Sequence, residues 1–142
     1  MKMRVLTASG KGKMLSIGNI IAEKYGCGID KIPPAYSCER EKLVVVVASL
    51  KSSLPNDFVL FCKDMSKDRA QNVAFIVDGT AENFKKVADM ITAAGANVID
   101  DVLYVKGGLP FGFIKGVPDA EKASVEAWIE KIVGSVFQNQ NK

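Results

Sequence analysis

Thr7-Ala8-Ser9-Gly10-Lys11-Gly12-Lys13 places two hydroxyls, two glycines and two lysines within seven consecutive residues of a 142-residue chain. A short apolar run at 3–6 precedes it and an amphipathic stretch at 14–25 follows, so it reads as the loop between a strand and a helix. Such a loop presents unpaired backbone N–H groups and the positive end of a helix dipole to an anion. A phosphate suits that chemistry, and the lysines add charge of the right sign. The same residue types also serve ordinary strand-to-helix turns, Ser or Thr as N-cap and Gly for tight geometry. Both readings stay open on these residues alone. Two nucleotide motifs are excluded by spacing. A Walker loop needs Gly at position 7 and a hydroxyl at position 14, where Thr7 and Met14 stand. The dinucleotide fingerprint needs Gly or Ala at position 15, which is Leu15.

The chain contains no histidine, which removes Ser-His and Cys-His nucleophile chemistry. Cys27, Cys38 and Cys62 form no C-x-x-C pair and no zinc spacing, and they read as small thiols in a reducing compartment. No metal site is expected. The net charge of +3 is uneven. Lys2, Arg4, Lys11, Lys13, Lys24 and Lys31 stand against only Glu23 and Asp30 in the first 31 residues, and the rest of the chain is nearly neutral. No dense basic stripe with interleaved aromatics points to nucleic acid. No apolar run approaches the roughly 20 residues of a membrane span, and the N-terminus lacks a signal-peptide core. The expected location is cytoplasmic, with no membrane partner.

The elements that must position the loop are legible in the apolar pattern. Strand-like runs occur at 3–6, 28–32, 43–48, 73–77 and 98–105. Leu43-Val44-Val45-Val46-Val47-Ala48 has no polar alternation, which marks a strand buried on both faces of a parallel sheet. Helical periodicity occurs at 14–25 (Leu15, Ile17, Gly18, Ile21 and Ala22 on one side, Gly26 as C-cap), at 55–65 (Phe58, Leu60, Phe61 and Cys62 inward), at 81–94 and at 118–137. Trp128 reads as core. Between the second and third strands, Pro33 and Pro34 impose an extended connector too short for a crossover helix. The prediction is one α/β domain over 1–142, a doubly wound five-stranded parallel sheet, with 137–142 as a frayed tail. The glycine-rich loop at 106–116 reads as a lid, a partner contact or an apolar plug.

In length, element order and loop placement the chain resembles flavodoxin over residues 3 to about 137. The resemblance rests on Thr7-x-Ser9-Gly10 after the first strand, where flavodoxin-like proteins hold the phosphate of FMN. It implies a three-layer fold with sheet order 2-1-3-4-5 and electron transfer with a redox protein partner. It implies that Thr7 and Ser9 donate hydroxyls, and Gly10, Lys11, Gly12 and Lys13 backbone N–H groups, to the phosphate. The isoalloxazine ring would lie between the loops after the third and fourth strands, here 49–54, led by Ser49, Leu50 and Lys51, and 78–83, led by Asp78, Gly79 and Thr80 and ending at Asn83.

The chain departs from that pattern in three places. Gly12 stands where flavodoxins usually carry Thr. Neither ring loop holds a Trp or Tyr, leaving Tyr36, Phe111 or Phe113 as substitutes. The calculated pI of about 8.7 is basic, whereas flavodoxins are typically acidic. Two alternatives therefore stand: a module of this fold that has lost flavin and binds another anion or a protein partner, and a small flavin-dependent reductase. A receiver domain is excluded, because Ala48 or Ser49 occupies the place of its phospho-accepting Asp.

Overall fold

The computed structural model describes residues 2–8, 12–51, 54–105 and 119–137. Among them the order is β1 (Met3–Thr7), α1 (Gly12–Tyr25), β2 (Gly28–Lys31), β3 (Glu41–Leu50), α2 (Asn56–Lys63), β4 (Ala70–Gly79), α3 (Ala81–Ala94), β5 (Asn97–Val98), β6 (Leu103–Tyr104) and α4 (Asp119–Phe137). All strand pairs are parallel and the sheet runs β2-β1-β3-β4-β5, with β6 also on β4, the order that the resemblance to flavodoxin implies. No described helix is long and apolar enough to cross a membrane. The predicted lid at 106–116 lies outside the described residues, as does 138–142. Phe137, where the 118–137 periodicity and the 137–142 tail meet on sequence, is the last residue of α4 and packs on the core.

Leu43 to Ala48 are wholly inaccessible, and their side chains alternate between two cores. Leu43, Val45 and Val47 meet α1 and α4, whereas Val44, Val46 and Ala48 meet the α2/α3 layer. That double burial explains the absence of polar alternation. Gly18 brings α1 down onto β1 and β2. A Cβ there would lie 2.9 Å from Thr7 Cγ2 and 3.0 Å from Ile29 Cδ1.

Several elements differ from expectation. The fifth strand is two short segments, because three steps on β4 (Val73 to Ile76) face five on the edge (Val98 to Leu103). The two extra residues form a bulge. There the indole N–H of Trp128 donates to the Asp101 carbonyl at 3.0 Å, and Lys131 pairs with the Asp101 carboxylate. Trp128 is otherwise core, as expected. In α2 the buried side chains are Phe58 and Cys62, four apart, and Leu60 falls on the opposite side, 63% exposed. In α1 Met14 rather than Leu15 completes the buried stripe.

No helix forms in the 32–40 connector. Polar side chains of the sheet hold it instead. The Asp30 carboxylate accepts from Lys31 N–H at 2.8 Å and Ala35 N–H at 2.9 Å, and the Arg4 guanidinium donates to the Tyr36 carbonyl at 2.8 Å. These backbone N–H bonds, Ala35 first, hold the Asp30 carboxyl below its ordinary range.

Cys27, Cys38 and Cys62 are free thiols, and burial raises the pKa of each. Cys62 is pushed from 9.0 to about 12. A folded pKa above the unfolded one means that this contribution to stability is intact below the unfolded value and is lost as pH climbs through the folded one. Unfolding midpoints in denaturant should therefore fall between about pH 9 and 12, less steeply in Cys62→Ala than in the native sequence. A second expectation concerns Gly18. Gly18→Val should destabilise the fold by about 1–3 kcal/mol in the same measurement, because Thr7 and Ile29 must give way.

Candidate anion site at the carboxyl edge of the sheet

Thr7 ends β1 with its side chain buried, 1% exposed. Its methyl packs against Gly18, and its Oγ1 has no hydrogen-bond partner among the described residues. Leaving a buried hydroxyl unsatisfied costs on the order of 1–3 kcal/mol. The backbone around it is fixed from both sides. The Thr7 carbonyl accepts from Ile32 N–H at 2.8 Å, and Ala8 N–H donates to the Val47 carbonyl at 3.0 Å. Ser9, Gly10 and Lys11 lie outside the described residues.

Gly12 and Lys13 belong to α1 rather than to the preceding loop. Gly12 opens the helix at φ 80°, a left-handed conformation that a β-branched residue adopts only under strain. A threonine at this position would thus be strained in the backbone path this chain takes. The first turn of α1 carries no acidic residue, so its positive end is not offset from within the helix. The Lys13 ammonium sits 2.7 Å from Glu121 of α4, so its charge is shared with a carboxylate. Nothing local in the sequence signals that partner.

The second group of predicted residues lies higher on the sheet. Thr7 pairs with Val47, so β3 continues three residues past it, roughly 10 Å at strand rise. Ser49 and Leu50, expected in a loop, remain in β3 and pair with Asp78 and Gly79 of β4. Thr80 alone then separates β4 from α3, and its Oγ1 accepts from Asn83 N–H at 3.1 Å as the N-cap. Asp78 is buried and meets the largely exposed Lys51 ammonium at 3.0 Å. Asn83, at the end of the second of these loops on sequence, lies instead in α3 and completes the arrangement: its Nδ2 donates to the Leu50 carbonyl at 2.6 Å. Gly79 takes the other side of Leu50, since a Cβ there would fall 2.6 Å from the same carbonyl oxygen. The T-x-x-N spacing at a strand-to-helix turn was the available signal for Asn83.

The arrangement is a low floor, Thr7 and the start of α1, beside a wall made by the ends of β3 and β4. Such an edge, at the topological switch point of an open sheet, is where α/β proteins place ligands. Among the described residues no three His, Cys, Asp or Glu side chains group as metal ligands. A short-chain flavodoxin associated with a bacterial microcompartment matches this structure with a TM-score of 0.66, covering 96% of this chain and 99% of that one, at 13% identity. The fold is flavodoxin-like. No family model and no curated protein matches the sequence.

In this flavodoxin-like frame the β3 and β4 ends are locked to each other before any ligand arrives. Gly79→Ala should therefore cost about 1–3 kcal/mol of stability, because the obstructing atom is backbone and cannot rotate away. Amide exchange should report the loss as faster exchange at Asn83 and Leu50, with β1 and β2 unchanged.

Proposed function

We propose that this chain binds FMN, with the phosphate at the end of β1, and transfers electrons between protein partners. The observation that carries the reading is the buried Thr7 hydroxyl, unpartnered among the described residues, at the start of a loop that leads into a helix N-terminus free of acidic residues. A phosphate would satisfy that hydroxyl and accept from the first N–H groups of α1. Ser9, Gly10 and Lys11 are assigned to the same cradle on the sequence pattern, and the flavodoxin-like fold supports the placement. When bound, the flavin supplies the redox chemistry.

The remaining roles belong to the chain. Thr7 Oγ1–H would donate to a phosphate oxygen, and Gly12 would keep the start of α1 clear of a side chain. Lys13, paired with Glu121, would offer backbone N–H more than net charge. Lys51, paired with Asp78, would place an ammonium at the β3–β4 wall without adding an uncompensated charge.

A second reading is favoured by one specific observation. With Thr80 the sole residue between β4 and α3, the described connection offers no room for a ring-flanking aromatic. A module that keeps the phosphate cradle and has given up the flavin ring has the same floor. Calorimetry with FMN, riboflavin and inorganic phosphate separates the two. FMN bound more tightly than phosphate, with yellow protein after removal of excess, supports the first; phosphate alone supports the second.

Thr7→Val tests the shared element. It should weaken binding of FMN, or of phosphate, about tenfold. The ligand-free protein should be as stable as the native one or more so, because the substitution removes an unsatisfied hydroxyl at nearly constant volume. Unchanged affinity would overturn the assignment of Thr7.

A further inference from the structure

Where a helix would usually cover the β2–β3 crossover, this chain has an extended connector, and a cavity of about 360 Å³ remains between it and α2. Pro33 and Pro34 line it from the connector, and Leu60, Phe61 and Met65 from α2 and the residues after it. Asp57, Leu60, Phe61 and Asp64 share one helix face by their spacing, so two carboxylates bracket an apolar centre.

Beside this hollow stands a projection. Tyr36 lies between Pro34 and Ser37, both lining residues, yet its own side chain is 82% exposed. Tyr36 and Leu60 are two of the three large apolar side chains exposed among the described residues, and both belong to this face. The backbone beneath Tyr36 is not free to collapse inward. Arg4 holds its carbonyl and Asp30 holds the preceding N–H, so the ring is presented on a fixed support.

We propose that this face binds a second copy of the chain, with Tyr36 of each protomer seated in the cavity of the other. A projection next to a hollow on one surface is self-complementary, which is what a two-fold contact requires. The chemistry also matches. The ring would meet the prolines, Leu60, Phe61 and Met65, and the phenol O–H would donate to a carboxylate at the rim. Asp64 is already taken by the Arg69 guanidinium at 3.4 Å. Asp57 has no ion pair among the described residues and is the open acceptor. A foreign partner would need only the hollow, and would leave unexplained an aromatic braced outward beside it. This inference is independent of flavin binding.

Sedimentation velocity over a concentration series, on the native chain, Tyr36→Ala and Leu60→Asp, tests it. The native chain should shift from monomer to dimer as concentration rises. Both variants should stay monomeric at every concentration with native circular dichroism and melting, because both side chains are exposed. A native chain that is monomeric throughout would overturn the proposal. So would a dimer that survives both substitutions.

Discussion

The register of β3 against β4 is the constraint on which the remainder of the structure rests. Leu43 to Ala48 are apolar on both faces, so sliding the strand by one residue would bury equally greasy side chains in the opposite core. Apolar patterning therefore cannot choose the register. The ends choose it. At one end Arg40 N–H and Glu41 N–H donate to the Asp68 and Arg69 carbonyls, and Asn72 Nδ2 donates to the Lys42 carbonyl. At the other, Gly79 and Asn83 close on the Leu50 carbonyl. Polar groups at both rims thus align a strand whose middle is indifferent, and that alignment sets the height of the β3–β4 wall above Thr7.

The parallel α/β class, the helix positions and the core role of Trp128 were legible because each follows from apolar periodicity over many residues, whereas the order of the strands came from the resemblance to flavodoxin. Strand ends were not, since Ser49, Leu50, Asp78 and Gly79 look like turn residues until their cross-strand partners are known. Leu60 misled for a different reason. A short helix has too few turns for periodicity to separate an inward leucine from an outward one, and the buried pair Phe58 and Cys62 decides. The edge bulge depends on Trp128 and Lys131, distant in sequence. At the candidate site the residue type of Thr7 was visible, but its unsatisfied hydroxyl is a property of packing. The pairing of Lys13 with Glu121 spans nearly the whole chain and left no local trace.

That pairing also changes the meaning of the basic excess in the first 31 residues. Lys13 and Lys24, both on α1, meet Glu121 and Glu130 on α4. Glu130 raises the pKa of Lys24, against a smaller opposing effect of desolvation. The Lys24–Glu130 pair is screened by solvent and contributes little on its own, whereas Lys13–Glu121 is largely shielded. Their effect is orientational. They stitch the first helix to the last along the same face of the sheet, so part of the local excess of positive charge aligns two helices rather than attracting a ligand.

The interrupted outer strand has a consequence for how the molecule breathes. Two-residue segments give β4 few ladder bonds on that side, and the chain between them is held by Ile99 N–H on the Val73 carbonyl and by Asp101 to α4. Such a margin forms the least cooperative unit of the sheet, and sub-global opening would start there while the β1–β3–β4 centre stays closed. The same discontinuity denies a neighbouring molecule the long straight row of amides needed to extend the sheet. Local fragility at this border is thereby coupled to resistance against fibrillar growth.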